Sequence, residues 1–324
     1  MAALADAVRP SLTAPGPCLV SFSGGHDSSL VLAAATRVAR VEGLPLPIPI
    51  TLRFTAAPRA EESSWQEAVV SELRLPDWLR LDAGDDLDVV GRVAQAVLRR
   101  HGVRYAPNAY LHVPLYEHAT GGVLLSGTGG DELFGKMVRP RRPWRLARRP
   151  GPRYGFEWLQ PTAARAAWQA QCRAARSMPR RAEARSRWRL GRRELQIRRI
   201  TQSLIAADAG ARAEQPLLAP ALLAAIERTG LCPNVVGGRA KLLAALFGSE
   251  LPAVCLVYRP KATFGEALWR RHARAHIASW DGFGVDEEIV DVSVLRRMWQ
   301  EQTQLNYRTA MLVQQTWLAG QSAT

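Results

Sequence analysis

Two short stretches of the sequence set an acid among glycines and hydroxyl residues, each just after an apolar run. The first is SGGHDSS, Ser23–Ser29, and the second lies within LLSGTGGDELFG, Leu124–Gly135. A glycine-rich turn between a strand and a helix presents backbone N–H groups at the positive end of the helix dipole, which suits a phosphate. Ser23, Gly24, Gly25, Ser28 and Ser29 can donate to phosphate oxygens in the first turn, and Ser126, Gly127 and Gly129 in the second. Asp27 and Asp131 would repel a phosphate unless they shared a hard cation such as Mg²⁺. Two such turns at the ends of two parallel strands would face one triphosphate from two sides. The first turn is neither a Walker loop, since no Gly-Lys-Ser/Thr ends it, nor GxGxxG.

The surrounding pattern supplies those strands. CLVSF reads as a buried strand starting near Cys18, and SLVLAAATRVARVEG as a helix closed by Gly43. Pro45, Pro47 and Pro49 confine a second strand to about Ile50–Phe54, because proline cannot donate to a ladder. EESSWQEAVVSELRL and LDVVGRVAQAVLRRHG have helical spacing on either side of a strand-like WLRLDA, and the aromatic-rich AYLHVPLYEHATGG precedes the strand VLLSG. Strands alternating with helices imply an α/β fold, a parallel sheet flanked by helices, with ligands at the carboxyl ends of its strands. The last third reads as helices joined by Gly/Pro turns. The expected organisation is a nucleotide-binding core over 14–136, a basic helical insert over 137–211 and a helical part over 212–324.

The formal charge of +14 over 324 residues is local. From Arg139 to Arg199 there are nineteen arginines and three glutamates, which leaves the remainder of the chain slightly acidic. Such a segment raises anionic substrates, partner proteins and nucleic acid as ligands. Cys18, Cys172, Cys232 and Cys255 have no metal-ligand spacing and read as thiols in a reducing cytoplasm. The amino terminus has no signal pattern, and no apolar run reaches membrane-spanning length, so a cytoplasmic protein without a membrane partner is expected.

The first turn resembles the SGGxDS loop of the PP-loop ATP pyrophosphatases. The second resembles the SGxGGDELFG segment of the asparagine synthetase carboxyl-terminal domain. Two later stretches extend the likeness: YRPKATFGEALW, Tyr258–Trp269, is similar to that family's RPK-x-x-F segment, and EQPLLAPALL to its PFLDP segment. The likeness runs from Cys18 to about Ala319. It implies a PP-loop sheet that binds ATP and Mg²⁺, adenylates a carboxylate with release of pyrophosphate, and passes the acyl group to an amine. It assigns Lys261 to the charge that develops as the amine attacks, and a compact ammonium fixed by Pro260 suits that task. Lys241 falls where the family carries a helix lysine.

Three departures shape the expected reaction. No glutaminase domain fits before Cys18, so ammonia from glutamine is not expected. Thr128 stands at the catalytic position where asparagine synthetases have glutamate and β-lactam synthetases tyrosine, and its hydroxyl is a poor base near neutral pH. Ala219 replaces the aspartate of PFLDP. These favour an organic amine over ammonia, as in lasso-peptide macrocyclases, where a precursor peptide supplies both carboxylate and amine. The alternatives are an asparagine synthetase using free ammonia or a partner glutaminase, and, less well supported, a PP-loop tRNA-modifying enzyme. An acidic substrate or a partner protein for the basic segment is expected in preference to nucleic acid. His26 and Glu132 are further candidate bases. His272 and His276 read as a solvated helix face. Trp158, Trp168 and Trp188 read equally as stacking surfaces or as packing under arginines.

Overall fold

Val123, Leu124 and Leu125 are all buried, as are Leu19 and Val20. A continuous apolar run without alternation is what a strand needs when helices cover both faces of a parallel sheet. In the computed structural model, which describes residues 2–60, 62–135, 156–179, 182–232, 236–248, 250–257 and 262–322, these residues form two adjacent interior strands. The strands are β1 (Cys18–Ser21), β2 (Ile48–Arg53), β3 (Leu79–Asp82), β4 (Val123–Leu125) and β5 (Arg212–Glu214). They pair in the order β3-β2-β1-β4-β5, every pair parallel. The α/β class expected from the sequence is what the structure has.

The helices are α1 (Ala2–Leu12), α2 (His26–Glu42), α3 (Ser63–Glu72), α4 (Arg92–His101), α5 (Val113–His118), α6 (Gly130–Phe134) and α7 (Pro161–Ser177). They continue with α8 (Ala182–Leu190), α9 (Arg193–Asp208), α10 (Pro220–Thr229), α11 (Arg239–Phe247), α12 (Arg271–Ser279), α13 (Val292–Glu301) and α14 (Ala310–Ser322). The chain divides into two compact units. One comprises Met1–Ala83, Leu111–Met137 and Arg180–Ala262; the other comprises Gly84–Tyr110, Val138–Pro179 and Thr263–Thr324. No helix among the described residues is long and apolar enough to cross a membrane.

The first unit holds the whole sheet. Helix α2 buries every residue from Ser28 to Thr36, and its alanines Ala33, Ala34 and Ala35 keep that buried surface low. It ends where expected, at Gly43, whose φ of 65° is the left-handed conformation glycine adopts without cost. Helix α1 was not foreseen. It buries Leu4, Val8 and Leu12, spaced four apart, in the same core as Val31 and Val38, and Pro10 near its end masked that period.

Strand β2 begins two residues earlier than expected, at Ile48, and includes Pro49. The Ile50 carbonyl accepts from Phe22 N–H, so Ile50 points its polar groups at β1 and Pro49 points away. On that side β3 pairs only from Ile50 onward, and the missing N–H of Pro49 leaves no ladder bond unmade. Strand β5 was also missed, because three residues with arginine and glutamate at the sheet edge give no apolar run.

Among its described residues, the second unit is helical apart from one bridge between Leu159 and Val290. Helix α7 buries Ala164, Trp168 and Cys172, so Trp168 is packing. Trp280 and Trp299 lie with ring centroids 4.7 Å apart. His276 pairs with Thr316 Oγ1 at 3.0 Å and is half-buried, which corrects the solvated face expected for it. Burial lowers its basicity below the usual histidine value. Asp88 has no exposed surface, and its carboxylate accepts from the backbone N–H groups of Val90 (3.2 Å), Arg270 (3.1 Å) and Ala273 (3.0 Å). Burial pushes this carboxyl up and the three donors pull it back, with burial prevailing.

Asp88 therefore closes the start of α12. Asp88→Ala leaves three N–H groups without that acceptor and is expected to cost about 3 kcal/mol, at about 1 kcal/mol or more for each donor left unsatisfied. Urea unfolding followed by tryptophan fluorescence measures it, and a loss below about 0.5 kcal/mol would show the carboxylate to be dispensable.

Candidate functional site

Strands β1 and β4 are neighbours and run the same way, with Val20 opposite Leu125, so the turns that follow them leave the sheet side by side. β1 has β2 on its other side, which makes this the point where the connections diverge to opposite sides and a crevice opens at the carboxyl ends.

The first turn is held by its own hydroxyls. Ser28 Oγ accepts from Ser23 N–H at 3.3 Å and donates to the Gly25 carbonyl at 3.1 Å, and Ser29 Oγ donates to the Gly24 carbonyl at 3.2 Å. Ser29 is fully buried and Ser28 nearly so, and both shape the turn from beneath. Gln66, on α3, donates to the Ser23 carbonyl at 3.0 Å. Gly24 has φ 80°, and a Cβ there would lie 2.9 Å from Gln66 Cγ. Small residues and a left-handed backbone are thus both required.

The second turn fits against the first. A Cβ on Gly130 would lie 2.0 Å from Asp27 Cγ, and one on Gly127 2.9 Å from Asp27 Cβ. Gly129, with φ 103°, would meet Leu218 Cδ2 at 2.4 Å. Strand β5 explains that neighbour: it pairs with β4, Ser126 N–H donates to the Glu214 carbonyl at 2.9 Å, and Pro216–Leu218 then turns beneath the second loop. The PLLAP segment is thereby brought to the site. Ser126 Oγ donates to Thr128 Oγ1 at 3.1 Å.

Asp27 and Asp131 stand in the first turns of α2 and α6, and among the described residues Arg239 joins them. Arg239 donates through Nη1 to Asp131 Oδ1 at 2.6 Å and through Nη2 to Asp27 Oδ1. Burial alone would lower the guanidinium's basicity, but the charges and hydrogen bonds of the two carboxylates outweigh it and hold it above its usual value. Arg239 went unnoticed in the sequence. Its signal was position: it opens α11 directly after Gly237 and Gly238, where the helix dipole disfavours a cation, so it needs carboxylates of its own. Lys241, two residues on, is exposed, with its stem over Gly237.

Arg189, on α8, was lost among its many neighbours. Its Nη1 donates to the carbonyls of Asp131 (3.1 Å), Glu132 (3.3 Å) and Gly135 (3.2 Å), the closing end of the second loop. Arg187 pairs with Glu227, and Arg192 lies 5.0 Å above the Trp188 ring. Part of the basic segment is therefore internal structure.

The two hard carboxylates and the glycine cradle fit Mg²⁺, which takes one or two carboxylates and leaves its remaining positions to water and phosphate. No larger cluster of His, Cys, Asp and Glu occurs among the described residues. The structure brings together Ser23, Gly24, Gly25, Asp27, Ser28, Ser29, Ser126, Gly127, Thr128, Gly129 and Asp131. Lys261 lies outside the described residues, with Tyr258, Arg259 and Pro260. None of the four cysteines forms a disulfide, and burial pushes the Cys18 thiol up to about 12.

The family model described as asparagine synthase matches residues 1–319. No curated protein matches the chain.

Two substitutions probe this geometry. Gly130→Ala should displace the Asp27 carboxylate and weaken binding of ATP with Mg²⁺. Calorimetric titration measures it, with circular dichroism confirming the fold; unchanged affinity would separate Asp27 from the nucleotide. Arg189→Ala should loosen the second loop, seen as faster amide exchange over residues 126–135, whereas unchanged exchange would reduce the arginine to a surface contact.

Proposed function

The chain belongs to the asparagine synthase family of ATP-dependent amide-forming synthetases, and from that premise we propose that it adenylates a carboxylate and delivers it to an organic amine. The observation that carries the nucleotide part is the placement of Asp27 and Asp131, one from each glycine turn, within reach of a single cation. Bound between them, Mg²⁺ would neutralise phosphate charge and so permit an anionic carboxylate to approach.

The turns orient the triphosphate and the substrate carboxylate attacks the α-phosphorus. The bond from that phosphorus to the bridging α–β oxygen breaks, and pyrophosphate leaves with the electron pair. The amine then attacks the acyl carbon, the carbon–oxygen bond to AMP breaks, and the ammonium proton passes to base. Lys261 is assigned the charge that grows on the AMP phosphate. A point charge suits that position better than a guanidinium fork.

The acceptor reading rests on Thr128. Its hydroxyl is engaged with Ser126 and is no base near neutral pH, so a glutamate-dependent ammonia transfer has no counterpart here. An amine that enters as part of a larger substrate suits the site, and a peptide closing on its own amino terminus, as in lasso-peptide macrolactam formation, is the form we favour. The exposed arginines of the basic segment are assigned to an acidic substrate or partner protein.

The purified chain, given ATP, Mg²⁺ and a candidate precursor peptide, should form AMP and pyrophosphate and remove one water from the peptide. Lys261→Ala should bind ATP normally yet lose on the order of 10²–10³ in rate, with little rescue by Lys261→Arg. Mass spectrometry and nucleotide chromatography read both. Efficient asparagine formation from aspartate and ammonia, or ADP as product, would overturn the proposal.

A further inference from the structure

Arg239 offers a chemistry that the proposed reaction does not yet use. Its guanidinium spans Asp27 and Asp131, the two groups assigned to the divalent cation, so that cation and Arg239 compete for the same oxygens. Arg239 Nε is buried without a hydrogen-bond partner, so the side chain has donor capacity that its present contacts leave idle.

The side chain is also well anchored. It opens α11 after Gly237 (φ 88°) and Gly238 (φ 140°), a turn that residues with side chains rarely adopt. Helix α11 buries Leu242, Leu243 and Phe247, and the Phe247 ring meets Phe134 of α6 edge-on at 6.1 Å. The helix that carries Arg239 is thus packed on the helix that carries Asp131.

We propose that Arg239 is a built-in counter-cation: it holds the two turns together before the nucleotide arrives, then gives up both carboxylates to the divalent cation and turns its guanidinium to phosphate oxygens. A planar fork that pairs with carboxylates pairs equally with phosphate, so the guanidinium has an anionic partner at each stage. The inference rests on the reading that ATP binds between the two turns, and it assigns Arg239 as a positioning residue on that site.

Mn²⁺ serves as the probe, read by electron paramagnetic resonance in the intact chain, first without nucleotide and then with an α,β-methylene analogue of ATP. Without nucleotide, Arg239→Ala should bind Mn²⁺ roughly tenfold to hundredfold more tightly than the parent, because the competing charged hydrogen bonds are gone. With the analogue the order should reverse, the variant binding the Mn²⁺–nucleotide pair more weakly. Arg239→Lys, which keeps the charge but cannot span both carboxylates, should be intermediate in both titrations and controls for folding. Nucleotide-free Mn²⁺ affinity that is unchanged or weaker in both variants would overturn the proposal, as would equal or tighter binding of the nucleotide pair. Failure of the underlying reading looks different: the parent itself would then bind Mn²⁺ no better with the analogue present, and Asp27→Asn would change nothing.

Discussion

Two carboxylates brought to the ends of adjacent strands repel each other, and that repulsion governs the rest of the site. At about 4 Å and the effective dielectric of a protein surface, two like charges cost on the order of 4 kcal/mol. A fold that keeps Asp27 and Asp131 there needs a cation between them at all times. Arg239 meets the need in the structure, and a divalent cation with ATP meets it in the reaction proposed. The close approach also dictates the glycines, since Gly127 and Gly130 leave Asp27 the space a Cβ would fill.

That constraint explains why segments far apart in the sequence converge on one place. The sheet supplies β1 and β4, β5 brings the PLLAP turn beneath Gly129, and α11 brings Arg239. Arg189 secures the second loop from outside. Among the described residues of the basic segment, Arg189 and Arg187 are thus spent on loop carbonyls and Glu227. Such division of labour fits an enzyme in which rigid turns hold the nucleotide and the wider surface chooses the substrate.

Much of this was legible in the sequence, because glycine turns and buried parallel strands write themselves in local composition. SGGHDSS and SGTGGDELFG announced both the loops and their acids, and Gly43 announced the end of α2. The parts that escaped detection depend on partners distant in the chain. β5 has no apolar run because it is a three-residue edge strand, and α1 was hidden by Pro10. Arg239 and Arg189 looked like two among many arginines, since only the folded chain shows which carbonyls and carboxylates they meet. Ser28 and Ser29 were read as phosphate donors from their type; in the structure their hydroxyls brace the turn internally.

The claim that Asp27 and Asp131 act on one cation is tested most directly by a double-mutant cycle on calorimetric binding of ATP with Mg²⁺. Asp27→Asn and Asp131→Asn should each remove most of the affinity. The double variant should then bind little worse than either single one, because the second change removes a ligand from a cation already lost. Losses that add in full would place the two carboxylates on independent sites and contradict the shared-cation site.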